Sequence, residues 1–187
     1  SNWSDSANWG GHTIAASESL FFGGITRVNN TNDTAAGSSY QDFGFNVDAA
    51  PFTLNGNNIN LTGNILNSST NPQTVLIPMS SSAPNNTFNG GTNGPGSKLI
   101  IGGGWTNTSS TFSTNTLVGV GVWTNLLFTP NGGSDALTLT DTNANWTLVD
   151  NGSSSPITAA AQLDVLQGMF TFGQGSSAPV LTNTSAV

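Results

Sequence analysis

Charge is what this chain lacks most. Only 6% of its 187 residues are Asp, Glu, Lys or Arg, against roughly 25% in typical soluble domains. It has two bases, Arg27 and Lys98, one histidine, His12, and one glutamate, Glu18. Two cations cannot neutralise a phosphate backbone or a layer of anionic headgroups, so nucleic-acid binding and electrostatic membrane binding are excluded. The net charge of −7 reflects missing bases rather than abundant acids. Cysteine is absent, which removes disulfides, Cys-ligated zinc and thiol nucleophiles. No apolar run approaches the roughly 20 residues of a spanning helix, so no membrane insertion is expected. Ser1 is not preceded by a basic-then-apolar leader, and a secreted form is expected to have lost one already.

Helix signals are also scarce, because long charged helix formers are missing and Gly, Asn, Ser and Thr disfavour helix interiors. The one exception is residues 157–166, whose Ala run and Leu163/Leu166 spacing allow a short helix. What is present is strand. Short apolar or alternating runs bounded by Gly, Asn and Pro occupy residues 19–23, 39–46, 52–54, 58–61, 73–78 and 98–102. They continue at 117–123, 125–128, 136–140, 146–149 and 169–172. Asn-Gly pairs at Asn55, Asn89, Asn93, Asn131 and Asn151 supply residues that tolerate positive φ in tight turns.

Apolar anchors at Val28, Phe52, Val75, Leu99, Val122, Trp146 and Phe170 recur every 23 or 24 residues. That is a plausible rung length for a β-solenoid. The composition fits, since rungs stacked about 4.8 Å apart would set like charges on one another. Uncharged Asn, Thr and Ser suit the outer faces of such a stack. The expected fold is therefore all-β, a right-handed parallel β-solenoid or β-helix, with a β-sandwich or jelly roll as the alternative. One β-rich domain is expected over 1–187, with an N-terminal cap or exchange segment at 1–16, a β core at 17–175 and a polar tail at 176–187.

The opening Asn-Trp-Ser-Asp-Ser-Ala-Asn-Trp-Gly-Gly at 2–11 is followed by Ser-Leu-Phe-Phe-Gly-Gly at 19–24 and Phe-Gly-Phe-Asn at 43–46. Phe-Thr-Leu-Asn-Gly at 52–56, Ile-Asn-Leu-Thr-Gly-Asn-Ile at 59–65 and Gln-Thr-Val-Leu-Ile-Pro at 73–78 come next. This order of phrases resembles the N-terminal rungs of bacterial autotransporter-associated β-strand repeat proteins over about residues 2–104. Residues 136–149 are similar to a later part of the same large secreted proteins. The resemblance implies a secreted or surface-displayed right-handed β-helix, usually non-enzymatic. The family's Gly-rich phrase with Leu-Thr-Lys-x-Gly-x-Gly-Thr-Leu is absent, and no functional residue is carried over.

Few residues offer chemistry. Asp135, Asp141 and Asp150 could meet across adjacent strands as glycosidase carboxyls, although solvated turn positions explain them more simply. Asp141-Thr-Asn-Ala-Asn145 matches the first ligand positions of a calcium loop, but Trp146 stands where the required Gly belongs and Gly152 where the Glu belongs. Asn32-Asp33 beside Asn29 and Asn30 is a second oxygen-rich cluster, read as turn hydrogen bonding. His12 has no Gly-x-Ser-x-Gly elbow to serve and reads as a surface or capping residue. Trp3 and Trp9 are expected to plug the first rung. Trp105 and Trp123 are expected in the core, with a sugar-stacking platform as the alternative. No catalytic residue, metal site or cofactor is expected.

Of ten Asn-x-Ser/Thr sequons, those at Asn29, Asn60, Asn67, Asn107 and Asn145 are the candidate glycosylation sites. The termini are the candidate joints of an assembly, through Trp3 and Trp9 at one end and Val180 and Leu181 at the other, by β-augmentation. The expected function is an extracellular or bacterial cell-surface structural protein: a homo-oligomer or homopolymer subunit of a filament or surface layer, or an adhesin passenger, with glycans as further partners. The alternative is a carbohydrate-binding module or a polysaccharide-acting β-helix enzyme.

Overall fold

Strands of three to five residues bury too little to stand alone. Ile59-Asn60-Leu61 buries its two apolar ends and turns its amide outward. Such a strand is stabilised only when the next coil of chain lies on it. A computed structural model describes residues 1–83, 85–91, 93–107, 114–124, 136–139, 145–149, 162–165 and 169–173. It has that stacked organisation. The first coil is β1 (Leu20–Phe22), β2 (Asn29–Asn32) and β3 (Ser38–Tyr40). The second is β4 (Phe43–Phe45), β5 (Thr53–Gly56) and β6 (Ile59–Leu61). The third is β7 (Ile65–Asn67), β8 (Pro72–Val75) and β9 (Met79–Ser81), and the fourth β10 (Asn85–Asn89), β11 (Lys98–Ile101) and β12 (Trp105–Asn107). Six further strands follow: β13 (Thr114–Val118), β14 (Val120–Thr124), β15 (Ala136–Leu139), β16 (Asn145–Val149), β17 (Gln162–Val165) and β18 (Met169–Gly173).

The strands form three walls. One runs β1-β4-β7-β10-β13-β15-β17, the second β2-β5-β8-β11-β14-β16-β18 and the third β3-β6-β9-β12. Every strand pair among the described residues is parallel. The protein is thus a β-solenoid with four three-faced coils, followed by three rungs described on two faces. Parallel pairing throughout rules out the antiparallel sandwich and jelly roll.

The rung length agrees with the sequence period on average but not step by step. Along the second wall the pairs Asn29–Thr53, Thr53–Thr74, Thr74–Ile100, Ile100–Val122, Val122–Thr147 and Thr147–Thr171 advance 24, 21, 26, 22, 25 and 24 residues. The anchors chosen by spacing therefore slip between faces. Leu99 points inward opposite Gly121, whereas Val122 pairs with Ile100 on the outer face. The inner file is Leu54–Val75–Ile101–Trp123, all fully buried. On the first wall it is Leu20–Phe43–Ile65–Phe88–Leu117. Burying each such side chain is worth about 1.5–3 kcal/mol.

Three local expectations are corrected. The run 39–46 is two strands, because the chain turns a corner at Gln41-Asp42 between β3 and β4. The run 117–123 breaks at Gly119, whose φ of 67° is left-handed, between β13 and β14. The helix allowed over 157–166 is a strand at Gln162–Val165, where β15 offers a parallel edge that outweighs weak helix propensity. The strand expected at 125–128 lies outside the described residues. Asn55-Gly56 closes β5 at a corner of the coil rather than making a hairpin. Gly56 has a φ of 110°, and a Cβ there would overlap the Asn32 backbone of the coil below.

Leu54→Ala would leave a cavity between Asn30 and Val75 in a fully enclosed file. Urea unfolding is expected to give a loss of about 2–5 kcal/mol. A loss below about 1 kcal/mol would mean that this file is not packed as described.

Candidate functional site

A solenoid's first coil has no neighbour beneath it, so its backbone edge and apolar interior need a cover. Residues 1–19 supply it. Asn2 bridges to Thr31 in parallel, with the Trp3 N–H donating to the Thr31 carbonyl at 3.0 Å and the Thr31 N–H to the Ser1 carbonyl at 2.8 Å. The Ser17 N–H donates to the Ser39 carbonyl at 2.7 Å. Between these contacts a 3-10 turn at Ser6–Trp9 begins on Asp5, whose carboxylate accepts from the Ala7 N–H, and ends on left-handed Gly10.

Trp3 is 1% exposed. Its ring meets Tyr40 and Phe43 edge-on at 5.5 and 5.6 Å and tilts against Phe22 at 6.0 Å. Trp9 covers Trp3 and Phe22 edge-on from outside, at 6.3 and 5.8 Å, and its indole N–H donates to the Trp3 carbonyl at 3.0 Å. The expected plug is thus present. Spacing alone would put the two indoles on one face of one strand; instead the 3-10 turn folds one onto the other. Trp3 spends its surface on its own coil, while Trp9 stays partly open.

The polar groups of the cap converge around the same aromatics. Glu18 accepts from His12 Nε2, with contacts of 3.0 and 2.9 Å to its two oxygens, and from the Ala15 N–H at 3.1 Å. Those hydrogen bonds, His12 first, lower the Glu18 pKa. Asp33 accepts the Ser4 hydroxyl at 2.5 Å and the Ser4 N–H at 2.8 Å, and both lower its pKa, the hydroxyl most. Arg27, with a left-handed φ of 55°, donates through Nη1 to Asn8 Oδ1 and the Ala7 carbonyl. Ser19, near His12, gives its hydroxyl proton to Asp42 rather than to the imidazole. Two clefts flank Trp9 and Phe21. One of about 390 Å³ also touches Asn8 and Arg27; the other, of about 380 Å³, touches His12 and Glu18. Chemically, this end can donate and accept hydrogen bonds beside open aromatic rings.

The remaining sequence candidates fall elsewhere. Trp105 and Trp123 are fully buried and pack edge-on at 6.4 Å with Phe88 against both. They offer no platform to a sugar. Asn67 is corrected as a glycosylation site. It is 1% exposed, donates to the Asn71, Gly90 and Lys98 carbonyls and accepts from the Ser69 N–H and hydroxyl. Asn29 is exposed and Asn60 half-buried; Asn107 ends β12, and Asn145 begins β16. Asn32 caps its own turn through Thr34 and reaches the Asn57 carbonyl. Val180, Leu181, Asp135, Asp141 and Asp150 lie outside the described residues.

Two structural features were missed in the sequence. A corner staircase links four coils: the Ser19 hydroxyl and the Asn64 N–H donate to Asp42, and Asn64 Oδ1 accepts from the Thr87 N–H. The spacing of 19, 42, 64 and 87 carries that signal. A buried amide knot joins Asn67, Ser69, Gln73 and Ser97 at the next corner. Comparison with protein-family models, curated proteins and solved structures finds no match.

Asp33 titrates below its unfolded value, so its hold on Ser4 is fully present above the ordinary Asp range and is lost as pH falls through the lowered folded pKa. Below about pH 4 the tryptophan emission of the cap is expected to shift red before global unfolding. Asp33→Asn is expected to remove that early phase at a cost under roughly 1 kcal/mol. An unchanged early phase in the variant would assign it to another group.

Proposed function

We propose that this chain is an extracellular structural protein of a bacterial surface, a stiff β-solenoid segment of a filament, surface layer or adhesin passenger. The observation that supports this reading most is the neutrality of its stacked outer files. Ser39–Asn60–Ser80–Thr106 runs up the third wall, with Asn60 Nδ2 donating to the Ser39 hydroxyl at 3.2 Å. Thr53 and Thr74 stack on the second wall. Such files hydrogen-bond along their own length and carry no like charges at rung spacing, so another neutral β surface can approach them without electrostatic repulsion.

The cover on the first coil sets how assembly proceeds. Residues 1–3 cover the β2 edge through hydrogen bonds to Asn29 and Thr31, the same parallel pairing that a neighbour's strand would make in their place. Joining is therefore by strand exchange at the cap rather than by free stacking of open ends. Removing residues 1–4 uncovers β2, and sedimentation velocity with negative-stain microscopy is expected to find head-to-tail association that the full chain undergoes more slowly. Monodisperse monomers of both forms after days at high concentration would sink this reading.

A further inference from the structure

We propose that the cleft between Trp9 and Arg27 is a binding subsite for a carboxylate-bearing sugar residue, of the hexuronate class, within a polysaccharide. This stands apart from the assembly reading, because it is carried by the side chains of Trp9, Phe21 and Arg27, with Ser1 and Asn30 at the β2 edge completing the lining. The cleft measures about 390 Å³, at the lower end of the roughly 300–1,000 Å³ of small-ligand sites. That volume suits a single ring with its substituents and is too small for a peptide segment.

Its walls carry the two halves of sugar recognition. Trp9 and Phe21 border both clefts and form a ridge between them. Phe21 is 61% exposed, and the Cδ1–Cε1 edge of its ring lies against Gly44 of the next coil, where a Cβ would meet it at 2.5 Å. Exposed aromatic faces are what the C–H face of a pyranose packs against.

Arg27 supplies the charge selectivity. It is one of two cations in a chain of net charge −7, yet its partners are neutral, the Ala7 carbonyl and Asn8 Oδ1. Among the described residues the one contact between a basic side chain and a carboxylate is His12–Glu18, and Arg27 touches no carboxylate. A guanidinium has five donors in a planar fork that matches a carboxylate bidentately, and Nη1 accounts for only part of them. The residue is fixed from both sides. Asn30 Nδ2 donates to its carbonyl at 2.7 Å, and Asn8, itself tied to the Asn2 carbonyl, holds its tip. The second cleft beyond the ridge, with His12 and Glu18, receives the adjoining sugar.

The test is titration of the full chain with oligogalacturonate and with its methyl ester, followed through the amide and indole N–H signals in nitrogen-15 spectra. The acid is expected to bind, with shifts at Trp9, Phe21 and Arg27, and to weaken with added salt. Esterification and Arg27→Gln are each expected to cost at least roughly ten-fold in affinity. Because Arg27 also ties down the cap, Phe21→Ala provides the second arm: it leaves every cap hydrogen bond in place and is expected to weaken binding by a similar factor. Equal binding of acid and ester would overturn the proposal. So would unchanged affinity in Phe21→Ala, or no shift with the acid oligomer at millimolar concentration. Sedimentation of the same samples reads assembly separately, so loss of sugar binding with assembly intact refutes the subsite alone.

Discussion

Parallel stacking with one rung directly over the next is the constraint from which the rest follows. Each side chain on a wall has its counterpart in the adjacent coil about 4.8 Å away, so whatever one position carries, the file repeats. Apolar files gain from this, as Phe22 on Phe45 shows, with rings 5.4 Å apart and nearly parallel. Charged files would lose by it. The sequence obeys the rule closely. Between Ala49 and Ser134 the single charged residue is Lys98, at the start of β11. Coils three and four are made without one acid.

Neutral polar groups do the work at the corners that charge does in other folds. A coil must turn three times, and each turn leaves backbone carbonyls and N–H groups facing away from the ladder. Gln73 shows how they are satisfied. Its side chain accepts from the Phe52 N–H and donates to the Ala50 carbonyl of the coil before and to Ser69 in its own turn. An amide offers both a donor and an acceptor and can be buried without the penalty of an ion. The abundance of Asn and Ser, which at first suggests only a polar surface, thus also describes an interior: Asn67, Ser69, Gln73 and Ser97 are all inside.

That dual use of Asn and Ser explains which features could be read from the chain. The all-β class, the mean rung length and the Trp plug were legible, since they rest on apolar spacing and on the need to cover an end. The individual steps of 21 to 26 residues along the second wall were not, because corner loops vary while the strands between them stay in register. A sequon at Asn67 looks the same whether its amide faces water or a carbonyl. The buried state of Trp105 and Trp123 was expected from the need for a core. The clustering of Trp9, Phe21 and Arg27 was invisible, as it depends on a left-handed turn at Arg27 and a 3-10 turn at Ser6–Trp9.

The same constraint decides where chemistry can reside. A cap residue has a coil on one side only, so a charge there meets no copy of itself. His12, Glu18, Arg27 and Asp33 all belong to the cap or to the coil it covers. The aromatic density of the first two coils, with Trp3, Trp9, Phe22, Tyr40, Phe43, Phe45 and Phe52 in mutual contact, answers the same boundary: an end without a further apolar rung needs larger side chains to exclude water. Charge and exposed rings are therefore brought together, among the described residues, by the requirement to cover the first coil.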